Sequence, residues 1–380
     1  REQVDAYSLN MDFEKDFIRT TLFYGGEYVF NRVNSTGEET NINTDETFAG
    51  TSRYPDDATW QSLAAYGNLQ WELDSKLTLQ TGARYNYILL DAAFDERVYD
   101  FPFSDANLRT GALTGSAGLN WRPNDILGWQ LNFSTAFRAP NIDDVGKIFD
   151  SAPGLVVVPN PDLEPEKAYN AELGLQLNFD KVVQLDLAGY YTLLENALVR
   201  RDFNIDGKTE IEYHGELSRV QAIQNSAHAR VYGFEAGAKI RFSDQVKFVG
   251  RVSLTEGEEE QDDGSTAPLR HAAPFFGNAH LVWENGALRF DLFTEYNGEI
   301  SADELAPSER DKDYLYAIDE NGNPYAPEWY TLNFSSQYEL GKMWLITAAL
   351  ENITDQRYRT YSSGVAAAGR NLILALQYSF

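Results

Sequence analysis

The stretch Phe137–Glu166, FRAPNIDDVGKIFDSAPGLVVVPNPDLEPE, decides how the chain is to be read. Just before it, Trp129–Phe137 alternates apolar and polar residues, and after it Ala171–Phe179 does the same. A period of two marks half-buried strands. Between them lie Pro140, Pro153, Pro159 and Pro161, with Pro165 at the exit. Proline cannot donate to a sheet ladder and restrains the residue before it, so this is a structured loop joining two strands. Asp143, Asp144, Asp162 and Glu164 inside it supply either ligand-facing carboxylates or the capping and turn chemistry of an ordered loop.

The same alternation extends outward in both directions. Leu63, Ala65, Gly67, Leu69 and Trp71 share one face, opposed by Ala64, Tyr66, Asn68, Gln70 and Glu72. After Asp74-Ser75-Lys76, the residues Leu77, Leu79, Thr81, Ala83, Tyr85 and Tyr87 take up the apolar face, against Thr78, Gln80, Arg84 and Asn86. Hairpins of this kind follow at Leu113–Phe137, Ala171–Leu193, Tyr232–Leu254, Phe275–Tyr296 and Tyr330–Leu350, and Asn371–Phe380 closes the chain. A long polar loop is expected over Asn31–Thr59, and a solvated or calcium-binding acidic loop over Glu256–Asp263.

Two asymmetries turn these strands into an architecture. Tight turns alternate strictly with long loops rich in Asp, Glu, Pro and Gly, which is the arrangement of an outer-membrane barrel with its long loops outside. A soluble sandwich mixes its loop lengths more evenly. The polar face also carries Arg84, Asp186, Glu235, Lys239, Arg241, Arg251, Arg289, Asp291, Glu295 and Glu339. Charges at that density cannot line a dry core, but they suit a wet or plugged lumen, which leaves the apolar face to lipid. Trp71, Trp121, Phe179, Phe242, Trp283 and Tyr338, beside the tight turns, would form an interfacial girdle.

Composition agrees. With 58 acidic against 31 basic residues the net charge is -27, and no basic stripe exists for nucleic acid. Cysteine is absent, which removes disulfides and thiolate metal sites. No run of apolar residues reaches the length of a membrane helix, and a mean hydropathy of -0.43 does not argue against a barrel, whose strands bury only alternate side chains in lipid. There is no nucleophile elbow and no metal-ligand spacing, so no enzyme is expected and no metal site is assigned. About fifteen strands are expected. The first and the last both run from the long-loop rim inward, so the wall is expected to need further strands beside it. Arg1–Asp5 enters strand-like sequence directly, as in a chain that has lost a leader or is part of a larger protein.

The words at the two ends of the opening stretch are specific. Phe137-Arg138-Ala139-Pro140 and Asn160-Pro161-Asp162-Leu163 resemble the FRAP and NPDL boxes of TonB-dependent outer-membrane receptors, particularly the haem and haemoglobin branch. Leu350–Asp355 with Arg357-Tyr358 resembles the penultimate-strand signature of that family. Gly369-Arg370-Asn371, then Leu372, Leu374, Leu376, Tyr378 and Phe380 in phase, resembles its C-terminal assembly signal. Ser52–Asp56 and Val199–Phe234, with its VQAIQNSA segment, look like receptors of the Bacteroidetes type. The resemblance implies an all-β fold: a transmembrane antiparallel β-barrel of twenty-two strands, of which residues 1–380 form the C-terminal part as a single domain, without the plug. It also implies a Gram-negative outer-membrane location and active import of haem, a ferric siderophore or a similar scarce nutrient. The implied partners are outer-membrane lipid and lipopolysaccharide, the receptor's own N-terminal plug and first strands, TonB, and an extracellular ligand. No intrinsic cofactor and no nucleic acid are implied. A passive porin or adhesion barrel, or a soluble secreted binding protein, are the alternatives.

The residues expected at a ligand site are Arg138, Asp143, Asp144, Asn160, Asp162 and His271. Haem-receptor relatives carry a histidine between the two boxes, whereas Asn141–Pro159 contains none. The four histidines are His214, His228, His271 and His280. His280 is in phase with the polar face; His271, beside Arg270, is either an axial ligand for haem or a solvated loop residue. Arg138 is also in phase with the polar face, where it would meet a plug carboxylate or a ligand.

Overall fold

A computed structural model of the chain describes residues 1–50, 52–94, 102–152, 154–213, 215–225, 228–261, 263–310 and 312–380. Strands β1 (Glu2–Asp16), β2 (Thr20–Ser35), β3 (Ala58–Glu72), β4 (Leu77–Ala93) and β5 (Asp105–Trp121) open the ladder. It continues through β6 (Leu127–Arg138), β7 (Glu166–Phe179), β8 (Val183–Glu195), β9 (His228–Arg241) and β10 (Val246–Glu260). The last five are β11 (Phe276–Asn285), β12 (Leu288–Asn297), β13 (Trp329–Leu340), β14 (Trp344–Glu351) and β15 (Asn371–Tyr378). Each pairs antiparallel with its neighbour in this order, and the short strand Thr266–Pro268 adds to the upper end of β10. Among the described residues β1 and β15 each have a partner on one side only.

Register sorts the side chains as the alternation predicts. Cross-strand partners share a face. Gln176, Asp186, Gly237, Arg251, Asn278, Glu295 and Thr331 form one continuous row across seven strands. The opposite face carries rows such as Leu131, Leu173, Gly189, Phe234 and Leu254. All ten charged residues expected to face the lumen fall on the polar face. The apolar face stays bare, with Leu113 and Leu374 each 72% exposed. An apolar surface of this extent is not tolerated in water, and hydrocarbon is the solvent that fits it.

The connections keep the strict alternation. Residues 17–19, 73–76, 122–126, 180–182, 242–245, 286–287 and 341–343 are tight turns. Residues 36–57, 94–104, 139–165, 196–227, 261–275, 298–328 and 352–370 are long. Asp180 and Lys181 both adopt positive φ, the primed-turn geometry whose twist matches that of the flanking strands. Gly25, which looks like a weak point in β2, has a packing reason. A Cβ there would collide with the Met11 carbonyl and the Tyr66 ring, which crosses the inner face toward Asp12.

Two expectations about loops change. The segment Asn31–Thr59 is not all loop, since β2 runs to Ser35, Gly37–Thr40 pairs with Thr47–Gly50, and β3 begins at Ala58. The acidic run after Glu256 is mostly strand. Arg230 neutralises Glu258 across the ladder, and Glu258–Glu260 gain backbone bonds from Thr266–Pro268, so β10 extends to Glu260. Asp262 and His214 lie outside the described residues.

Candidate functional site at the long-loop rim

Above the membrane-facing band the polar face changes character. Along β4, Gln80, Arg84 and Asn86 give way to Ile88, Leu90 and Ala92, all buried. These apolar side chains point inward, so something must cover them. The cover is the loop that follows β6. Its short helix α1 (Ile142–Gly146) presses Ile142 and Val145 onto Ala58, Leu90, Ala92 and Ala106, joined by Leu163. The proline-rich loop is therefore folded into the mouth rather than standing free above it.

Local chemistry holds it there. Asn141 caps α1 by accepting from the Asp144 N–H, and Asp144 accepts from the Asn141 N–H, a reciprocal capping box. Arg138 reaches from the inner face of β6 with one guanidinium nitrogen 2.9 Å from both Asp144 oxygens, and Glu166 lies 3.4 Å from the other. Its carboxylate partners thus come from its own loop and the next strand. Asp143 accepts from the Tyr54 hydroxyl at 2.8 Å and pairs with Lys147 at 3.1 Å. Burial and that bond to Asp143 push the Tyr54 phenol up to about 12. Asn160, 7% exposed, donates to the Ile223 carbonyl at 2.8 Å and accepts from the Asp162 N–H. Asp162 itself leaves its carboxylate exposed.

The bond from Asn160 to Ile223 spans two loops, and it is one of several. Leu155–Val157 pairs in parallel with Arg219–Gln221, and the strand Glu216–Asn225 also pairs with Leu198–Asp202 and Glu210–Tyr213. Asn225 bonds the backbone of Glu164 and the carbonyl of Asn196. Val156, Val158, Val220, Ala222, Ile148 and Ile205 form the apolar core beneath. Each fully buried valine contributes about 1.5–3 kcal/mol relative to exposure. Loops 139–165 and 196–227 are in effect one small domain.

A second assembly is built from three other loops, within reach of Arg200 of the first, and sequence reading does not find it. Its centre is Glu309, fully buried in the loop 298–328. Arg270 lies 2.5 Å from its carboxylate and Lys312 2.8 Å; Tyr316 donates at 2.5 Å and Ser362 at 3.3 Å. Burial alone would raise this carboxyl. The bonds from Lys312 and Tyr316 and the charges of Arg270 and Lys312 outweigh it and hold the group at about 2. Three long loops, 261–275, 298–328 and 352–370, thereby meet on one side chain. Ile300, Leu305 and Tyr316 form the small core beside it.

His271 follows Arg270 in this assembly with φ +64. Partial burial, then the Arg270 charge, lower its pKa and favour neutral imidazole. The six expected residues therefore separate in space: Arg138, Asp143, Asp144, Asn160 and Asp162 belong to the first assembly and His271 to the second. His280 sits on the inner face, 3.1 Å from Asp291 and stacked on Phe293. Among the described residues no three His, Asp or Glu side chains converge as metal ligands. A wall apolar outside and charged inside, with its long loops folded over the mouth, defines part of a large outer-membrane β-barrel.

The comparisons name the kind of barrel. The family model described as "TonB dependent receptor-like, beta-barrel" matches residues 2–353, so the chain belongs to that family and to the outer membrane of a Gram-negative cell. The chain is 25% identical to the Heme/hemopexin utilization protein C of Haemophilus influenzae (strain 86-028NP), over 98% of this chain and 50% of that protein. It is 25% identical to the Hemoglobin-haptoglobin utilization protein B of Neisseria meningitidis serogroup A, over 79% of this chain and 39% of that protein. Among solved structures it superimposes on the copper transporter OprC with a TM-score of 0.79 at 17% identity, covering all of this chain and 57% of that one. The FrpB iron transporter of Neisseria meningitidis gives 0.71 at 14%, over 100% of this chain and 56% of that one. The chain spans half or less of the two relatives named, and the structural likeness speaks for the fold alone.

Proposed function

We propose that the chain is the C-terminal part of the barrel of an active import receptor. The complete protein takes up a scarce extracellular nutrient bearing iron, haem or a ferric siderophore, using energy delivered through TonB. The observation that carries this reading is the inner face. Its charged rows line the wall below a mouth built from folded loops, as a gated, plugged lumen requires and a dry core forbids. The single-sided edges of β1 and β15 support the expectation that further strands of the same receptor close the barrel, because hydrocarbon does not tolerate an unpaired sheet edge. The receptor's plug would then meet the inner rows around Asp186, Glu235 and Arg251. Lipid and lipopolysaccharide would surround the outer face. A passive porin is not favoured, since the relatives are named as heme/hemopexin and hemoglobin-haptoglobin utilization proteins.

Haem leads the substrate classes because the relatives' names carry haem and haemoglobin. In that reading Arg138, Asp143, Asp144, Asn160 and Asp162 shape the mouth, and His271 offers a neutral imidazole to iron. The test is a haemin titration of the complete, detergent-purified receptor followed by visible absorbance, with His271→Ala alongside. A saturable, sharpened Soret band that the variant loses supports haem ligation by His271. No spectral change at micromolar haemin removes haem, and ferric siderophores take its place.

A further inference from the structure

A cavity of about 330 Å³ lies at the rim between the loops 298–328 and 352–370. Trp329 lines it from the inner face of β13, stacked on Tyr358 with ring centroids 4.2 Å apart. Tyr316, Tyr361 and Ser362 line it too, and they are the side chains packed around Glu309, so the buried carboxylate fixes the cavity's shape. The loop 352–370 is pinned from below: Asn352, 3% exposed, bonds Asn333, Gln356 and Ala368.

Two guanidiniums, Arg357 and Arg359, border this space. Arg359 bridges the loops by donating to the Tyr314 and Leu315 carbonyls at 3.1 and 3.4 Å. Among the described residues, neither arginine has a carboxylate within ion-pair distance. The cavity's own carboxylate, Glu328, is held by the Tyr296 hydroxyl at 3.0 Å. In a chain with 58 acidic and 31 basic residues, carboxylate partners are abundant. Arg357, which has no hydrogen-bond or ion-pair partner among the described residues, and Arg359, whose one nitrogen is held by two carbonyls, therefore place two guanidiniums without carboxylates in one concave aromatic site, against the overall charge.

We propose that this cavity binds an anionic group carried on a flat aromatic body. The carboxylate or phosphate meets Arg357 and Arg359, and the ring lies against Trp329 and Tyr358. Guanidinium presents paired donors that match the oxygens of either anion, and an aromatic wall adds stacking. The volume falls at the low end for small-molecule sites and suits a bicyclic acid or one arm of a larger ligand. The proposal deepens the receptor reading by assigning part of the mouth a ligand chemistry.

The test uses the complete receptor in detergent and two probes of one shape, 2-naphthoate and the neutral 2-naphthalenemethanol, measured by calorimetry. Naphthoate is expected to bind at least about tenfold tighter, as a charge-assisted bond predicts. Arg357→Gln should erase that preference while leaving the alcohol unchanged, and Arg357→Lys should restore part of it. Arg357 is exposed and has no partner among the described residues, so the variants should elute as wild type. Equal affinities for the two probes, no binding of either, or a preference that survives Arg357→Gln would overturn the site. None of these readings depends on TonB or haemin, so a failed import assay leaves the site standing, and the reverse holds as well.

Discussion

The two loop assemblies in the mouth solve one problem by opposite means. Loops 139–165 and 196–227 are joined by a backbone ladder over a valine-rich core, with Val156 and Val220 fully buried. Loops 261–275, 298–328 and 352–370 are joined by one buried carboxylate and its four partners. An apolar core and a ladder are spread over many contacts and yield gradually when one is lost. A buried ion cluster is concentrated: it is stable while complete, and removing one member leaves uncompensated charge. The contrast suggests a rigid half and a releasable half, with the proposed anion cavity in the releasable one.

Breaking Glu309 should give the largest effect. Glu309→Gln leaves Arg270 and Lys312 facing an amide, at a cost of about 3 kcal/mol. Hydrogen exchange in 298–328 and 352–370 should then quicken roughly a hundredfold, with 155–157 and 216–225 unchanged. Val220→Ala makes the reverse cut, costing about 2 kcal/mol and loosening only the first assembly. If either variant loosens both halves equally, the mouth is one body and the comparison fails.

Acid sharpens it further. The Glu309 carboxyl is held at about 2 against an ordinary 4.5. Its ionic contribution is therefore complete above about 4.5 and is lost as the pH falls through about 2. Exchange measured across that window should release 298–328 before 216–225. The smallest effect is expected from Tyr54→Phe, which removes one bond to Asp143 and costs about 1 kcal/mol. The Tyr54 hydroxyl is raised to about 12, so its contribution is full below 10 and lost as the pH rises through about 12. The difference between wild type and Tyr54→Phe should vanish across that alkaline window.

The wall was legible in the sequence because a strand exposed to lipid on one side and lumen on the other must alternate, and every charged residue assigned inward lies there. The mouth was less so. Nothing local pairs Leu155–Val157 with Arg219–Gln221, since that contact is set by how two loops fold over a shared rim. A signal was present in β4, where Ile88, Leu90 and Ala92 take positions that Arg84 and Asn86 had held polar. Apolar side chains on a wet face imply a cover. Glu309 gave no such sign: only the convergence of Arg270 and Ser362 from distant loops makes it a centre. At Arg138, Asn141 and Asn160, in and between the two boxes, the contacts seen are capping and loop closure.

The central claim is that this wall serves energised import, and uptake measures it directly. Cells carrying the complete receptor, starved of iron and supplied with radiolabelled iron as haemin or a ferric siderophore, would be followed with and without collapse of the proton-motive force. The account predicts accumulation that saturates and stops when the membrane is de-energised. Uptake that continues unchanged, in proportion to external concentration, would make the barrel a passive pore and contradict it.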